Sequence, residues 1–309
     1  MRGLIIALFL AGPAAAQRET ATFLKIQPGA RPMALGEAFT AVADDLDALT
    51  TNPAGLGRLG VQQATFEHAE LFAGTRLDHA AYALPFASDG GSLLSGGTLG
   101  LGVTHLSQPA LEGRDAAGNP TGAFGAGDTA VMMGYSRRLA DYPAVLGGTL
   151  KYLHSTIADA SAQSYAVDLG AQRPFYALER PASVGVAIRN LGPGLKFGSE
   201  TDPLPLELSA GGAITLGGAM TLALDVHQSP HEHQTAVSIG TEYAVLSGFA
   251  LRTGYGSAQA SAGGTSGVGS LGGFGMGFGL RVYKMTLDYS FSPYGELGSA
   301  QRLSLSSRF

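Results

Sequence analysis

Few residues of this chain are spaced for chemistry. His105 lies two positions before Ser107 and His154 directly precedes Ser155, and a hydroxyl beside an imidazole is the minimum for nucleophilic attack. Such a pair needs a third group to orient the ring, and adjacency in sequence supplies none. No catalytic residue is assigned, and the chain is expected not to be an enzyme. His231-Glu232-His233 presents two imidazoles at i and i+2, a spacing open to metals, but it sits in a short polar stretch and reads as solvated. Gly275-Met276-Gly277-Phe278-Gly279 has the glycines of a phosphate loop without the helix that such a loop must open. Asp44, Asp45 and Asp47 offer oxygen to a cation, yet they read as a solvated or arginine-paired face. No metal and no cofactor are expected.

The other ionisable residues follow a parity. Lys151, Asp168, Arg189, Glu207, Asp225, Glu242, Arg252, Arg281, Asp288 and Arg302 each alternate with apolar neighbours. If the apolar face meets lipid, each of these points the other way, since a Lys or Arg turned toward mid-bilayer costs about 2–4 kcal/mol. The set holds five of each sign. Mixed signs predict cross-strand ion pairs that fill a lumen; a selective pore needs rings of one sign.

The elements that carry these residues are short alternating strands. Candidates fall at 63–71, 76–86, 97–107, 128–138, 144–154, 163–173, 181–190, 205–214, 218–227, 234–244, 247–256, 271–282, 284–292 and 300–309. Fourteen is an even number, and each run approaches the ~9–11 residues that cross a bilayer at a tilt. Long connections at 108–127, 155–162, 191–204 and 257–270 alternate with tighter ones, as in outer-membrane barrels. The connections 87–96 and 174–180 are longer than that rule favours. Leu303, Leu305 and Phe309 share one face of the final strand, as a lipid-facing strand requires.

Composition agrees. Charged residues are 14% of the 309 positions, against roughly 25% in soluble domains, and the 46 glycines are spread through strands. With no cysteine and a net charge of −5, disulfides and nucleic-acid binding are not expected. Met1–Ala16 has the charged start, apolar core and small-residue end of a signal peptide, which predicts export and a mature start at Gln17. The expected domains are the signal peptide (1–16), a segment inside or beneath the barrel (17–60) and the barrel (61–309). No apolar run is long enough for a membrane helix, so a bilayer-spanning form must be a closed barrel.

Phe23–Leu56 is the one stretch that reads as helix and turn. Phe39, Val42 and Leu46 predict a helix over 36–48, and Asn52-Pro53 predicts a capped turn. This block, with Asn52-Pro53-Ala54, resembles the N-terminal signature of the PorV/PorQ family, a branch of the FadL-like outer-membrane barrels. Later segments such as Pro205–Ile214 and Met285–Tyr289 are similar to the same family. The resemblance implies a monomeric outer-membrane barrel in contact with lipid, with residues 17–60 as a hatch. It implies a binding or accessory role in protein export or surface delivery of type IX secretion kind, with a secretion-machinery partner. The alternative it implies is a transporter of hydrophobic small molecules, for which Phe39, Leu46, Leu49 and Leu56 are the expected ligand pocket.

Overall fold

The computed structural model describes residues 19–88, 94–198, 200–262 and 272–309; the expected signal peptide lies outside them. Alternating burial along each strand closes one antiparallel barrel of fourteen. Its strands are β1 (Gln63–Glu70), β2 (Arg76–Pro85), β3 (Gly97–Ser107), β4 (Ala126–Arg138), β5 (Val145–Ile157), β6 (Ala160–Ala177) and β7 (Arg180–Leu191). They continue as β8 (Glu207–Leu216), β9 (Met220–Ser229), β10 (Gln234–Leu246), β11 (Phe249–Gly256), β12 (Phe274–Val282), β13 (Met285–Pro293) and β14 (Ser299–Arg308). Each pairs with its chain neighbours, and β14 closes on β1 from Gln63↔Arg308 to Glu70↔Gln301. No helix among the described residues is long and apolar enough to cross a membrane. The outward face does so instead, with Val131 and Met133 on β4 and Leu224 and Val226 on β9 exposed.

The end holding connections 108–125, 192–206 and 257–273 is here the loop end, and the opposite one the turn end. Two small hairpins rise at the loop end, Leu111–Arg114 with Pro120–Phe124 and Leu195–Phe197 with Glu200–Asp202. The expected long connection at 155–162 is instead a tight turn at Ala158-Asp159, because β5 and β6 pair until Ile157↔Ala160. The connection 174–180 likewise narrows to Leu178-Glu179, both left-handed at φ 49° and 61°. Both strands continue past the apolar band, where alternation no longer marks them.

Residues 19–60 fold into the lumen. The expected helix over 36–48 does not form. A short helix, α1 (Ala30–Ala34), lies upstream, and the chain breaks at Gly36 and Glu37, whose φ of 61° and 69° end a right-handed helix. Phe39, Val42 and Leu46 are still buried, on successive turns. The turn at Asn52 forms. Its side chain accepts from the Ala54 amide at 3.2 Å, and Pro53 opens a 3-10 turn over Pro53–Arg58.

What holds this hatch is the absence of side chains on the wall facing it. A Cβ at Gly240 would stand 2.7 Å from the Leu35 carbonyl oxygen. At Gly275 it would strike Met33, at Gly254 the Leu35-Gly36 backbone, at Gly147 Pro53 and at Gly185 Thr40. Main chain therefore lies against main chain around much of the cylinder.

Two consequences can be measured. Gly240→Val leaves a barrel that still shows heat-shifted electrophoretic migration but makes residues 30–40 cleavable by protease; unchanged resistance would refute the close packing. Asn52→Ala removes the cap and a 2.8 Å bond to the Thr40 carbonyl; a loss of about 1–3 kcal/mol is expected in the urea unfolding midpoint.

Candidate functional site

The loop end of the lumen is apolar and filled by the hatch itself. Phe23 is 2% exposed and packs with Leu71, Leu77, Leu106, Leu153, Leu195 and Leu204. Alanines at 69, 130, 162, 166 and 300 keep the wall beside it small. The segment is tied down at its ends only. The Thr20 amide donates to the Pro203 carbonyl at 2.9 Å, and Lys25 Nζ bridges Glu19 at 2.5 Å and Glu232 at 2.6 Å. Burial, the largest single effect, lowers the Lys25 ammonium, but these two carboxylates together outweigh it and hold the group above its ordinary value.

The wall beside this cluster is irregular. Between Val167↔Leu191 and Leu169↔Ile188 the β6–β7 register slips, and Asn190, at φ 60°, donates its amide to Asp168 at 2.8 Å. Beyond the slip, residues 160–166 of β6 pair only with β5 among the described residues. Their other edge meets a loop, with Ser164 Oγ donating to the Pro193 carbonyl at 2.6 Å.

The ten parity-assigned charges all take the inward face. Lys151 bridges Asp168 at 2.6 Å and donates to Asn190 at 2.8 Å. Arg189 pairs with Glu207, its register partner, and donates to the Thr50 carbonyl at 2.9 Å. Arg252 joins Glu242 at 2.6 Å and Asp288 at 2.5 Å. Asp225 accepts the Phe39 and Thr40 amides at 2.8 and 2.6 Å, and Arg302 donates to the Gln27 carbonyl at 2.9 Å. Arg281 stands at the turn-end rim, facing a cavity of about 330 Å³. The wall charges thus serve the hatch as well as one another.

Three partners escaped the parity argument because they lie off the strand pattern or are held by a neighbour. Arg31 of α1 bridges Glu242 at 2.9 Å, Asp44 at 2.6 Å and Asp45 at 2.7 Å; burial, the largest single effect, lowers it, but the carboxylates together outweigh that and hold it well above its ordinary value. His227 meets Glu207 at 3.0 Å. Asp47 lies near Glu67 of β1, and burial, reinforced by that second carboxyl, pushes Asp47 well above the usual carboxylate range. The aspartates at 44 and 45 are arginine-paired, one of the two arrangements their sequence suggests, whereas Asp47 is buried and has no arginine partner among the described residues.

The expected pocket of Phe39, Leu46, Leu49 and Leu56 is solid. All four are at most 2% exposed and share one cluster with Leu35, Ala81 and Ala83. Leu49 and Leu56 occupy the space over Gly100 and Gly134, so glycine on the wall removes the gap that a pocket needs. Phe39 alone borders a void, of about 20 Å³, beside Arg189 and His227. The larger spaces open at the turn end. One is the 330 Å³ cavity; the other, of about 580 Å³, lies among Val42, Arg58, Pro143, Phe175, Tyr176 and Pro181. His154 and Ser155 point to opposite faces of β5, and the His105 ring bonds Thr129 at 3.0 Å.

No family model matches the chain, and no curated protein matches it in sequence. Solved structures do match in fold. The Ralstonia pickettii toluene transporter TbuX superposes with a TM-score of 0.61 at 11% identity, over 91% of this chain and 98% of that one. The P. putida toluene transporter TodX gives 0.59 at 12%, over 89% and 98%. A Pseudomonas aeruginosa FadL homologue gives 0.56 at 10%, over 96% and 99%. At such identities the likeness is one of architecture, and it leaves the narrower PorV/PorQ resemblance unmatched. The chain shares the fold of these structures, a closed antiparallel barrel of fourteen strands.

Proposed function

We propose that this barrel carries small hydrophobic molecules across the outer membrane, without enzymatic chemistry and as a single barrel. The observation that carries the reading is the apolar cluster at the loop end, whose centre is occupied by a removable piece of the chain itself. Displacing residues 19–26 would leave a space walled by Leu71, Leu77, Leu106, Leu153, Leu195 and Leu204. That space adjoins the stretch of β6 finished by a loop, where a molecule dissolved in the bilayer has the shortest way in. Release is toward the 580 Å³ space at the turn end, and it requires the hatch to shift, because Phe39, Leu46, Leu49 and Leu56 are packed. The barrels of like fold described as toluene transporters support cargo of this class over protein export. The N-terminal signal and the lipid setting belong to the same reading.

Phe23→Ala removes the apolar anchor of the plug and is expected to raise uptake of a radiolabelled monoaromatic hydrocarbon into cells, with Phe23→Tyr close to wild type. Wild type and Phe23→Ala both no better than a barrel-free strain would overturn the reading. Arg31→Gln takes from Glu242, Asp44 and Asp45 the cation that joins the hatch to the wall. In planar bilayers the wild type is expected to stay closed and the variant to show transient openings. Equal, silent traces from both would show that Arg31 does not hold the hatch.

A further inference from the structure

The two ends of the barrel carry opposite charge. Loop-end connections hold Glu112, Asp115, Asp159, Glu200, Asp202 and Glu232, against Arg114 and Lys196. The turn end between β4 and β7 holds Arg137, Arg138, Arg173 and Arg180, against Asp141 and Glu179. All four arginines are exposed, and none makes an ion pair among the described residues.

Their placement is more particular than a basic rim. Arg137 follows Val131, Met133 and Tyr135 on the outward face of β4, and Arg173 follows Val167 and Leu169 on the outward face of β6. Between them, Leu146 of β5 is the register partner of both Arg137 and Ala171 and is exposed on the same face. Two guanidinium groups thus straddle one apolar side chain at the edge of the lipid-facing wall. The β6–β7 hairpin adds to this edge. β5 ends its pairing with β6 at Val145↔Gln172, whereas β6 runs on to Ala177, carrying Arg173, exposed Phe175 and exposed Tyr176 past the closed wall.

We propose that this outward sector of β4 to β7 binds an anionic phospholipid, its phosphate held by Arg137 and Arg173 and its acyl chains lying on Leu146, Met133 and Leu169. Guanidinium suits the task because its planar fork meets two phosphate oxygens at once. A lipid is favoured over an acidic protein because the two arginines continue the lipid-facing rows of their own strands; a protein approaching from the aqueous side would meet the hairpin tip first. The site needs the barrel to span a bilayer and is independent of what the barrel transports.

Native mass spectrometry of the purified full-length barrel, titrated with phosphatidylglycerol or phosphatidylcholine, tests this. Wild type is expected to retain phosphatidylglycerol preferentially. Each arginine is worth roughly fivefold near an anionic surface, so Arg137→Gln with Arg173→Gln should weaken retention roughly twenty-fivefold. The paired Lys variant should keep most of the preference, and Lys196→Gln at the loop end should match wild type. Heat-shifted migration of each variant confirms a closed barrel. Equal retention of the two lipids by wild type overturns the proposal. So does full retention by the double Gln variant, or an acidic protein lost from native-membrane preparations of that variant while its lipid preference persists.

Discussion

Everything in this molecule depends on the contact between the hatch backbone and the barrel wall. A cylinder of fourteen strands encloses space that side chains from the wall alone fill poorly, and here the chain fills it with its own residues 19–60. The fit is made by glycine. Wherever the hatch approaches closely, at Gly147, Gly185, Gly240, Gly254 and Gly275, the wall gives up its side chain so that the peptide groups can pass. Glycine at these wall positions is thus the footprint of one element on another, and at Gly100 and Gly134 it explains why the cluster around Leu49 and Leu56 has no room for a guest.

Electrostatics divides the same interface into zones. At the loop end the contact is apolar, with Phe23 at its centre and few polar ties. Toward the turn end Arg31 meets three carboxylates from two elements, and Glu242 is shared between Arg31 and Arg252. Charges removed from water are costly unless paired and hydrogen-bonded, and the pairing here joins hatch to wall. The Asp47–Glu67 contact is of another kind. Neither carboxyl has an ion-pair partner among the described residues, and burial together with the second carboxyl raises Asp47. A hatch greasy at one end and salt-bridged at the other is loosened by different agents at each end.

Alternation carried most of the architecture. All fourteen strands were visible because lipid on one side and a polar lumen on the other impose a strict period of two. Periodicity fell short where the bilayer stops acting on the chain. The β5–β6 and β6–β7 hairpins extend beyond the band where one face is apolar and the other polar, so their pairing left no alternation. The hatch misled for a related reason. Phe39, Val42 and Leu46 fit a helical spacing, yet they are buried on all sides, and a segment enclosed by a barrel has no solvent face to set a period. Local chemistry was legible where it acted over two or three residues, as at Asn52-Pro53. Arg31 was not, since its partners lie 13 and 14 positions away in the hatch and across the lumen on β10.

The seam where the cylinder closes bears on how the molecule is made. Ser304 of β14 accepts the Ala30 amide at 3.0 Å, and Arg302 of the same strand donates to the Gln27 carbonyl. A polypeptide delivered amino-terminus first supplies those two side chains last. Residues 27–30 therefore lack these two ties to the wall until the final strand docks beside β1, so that strand fastens the seam and this part of the plug together.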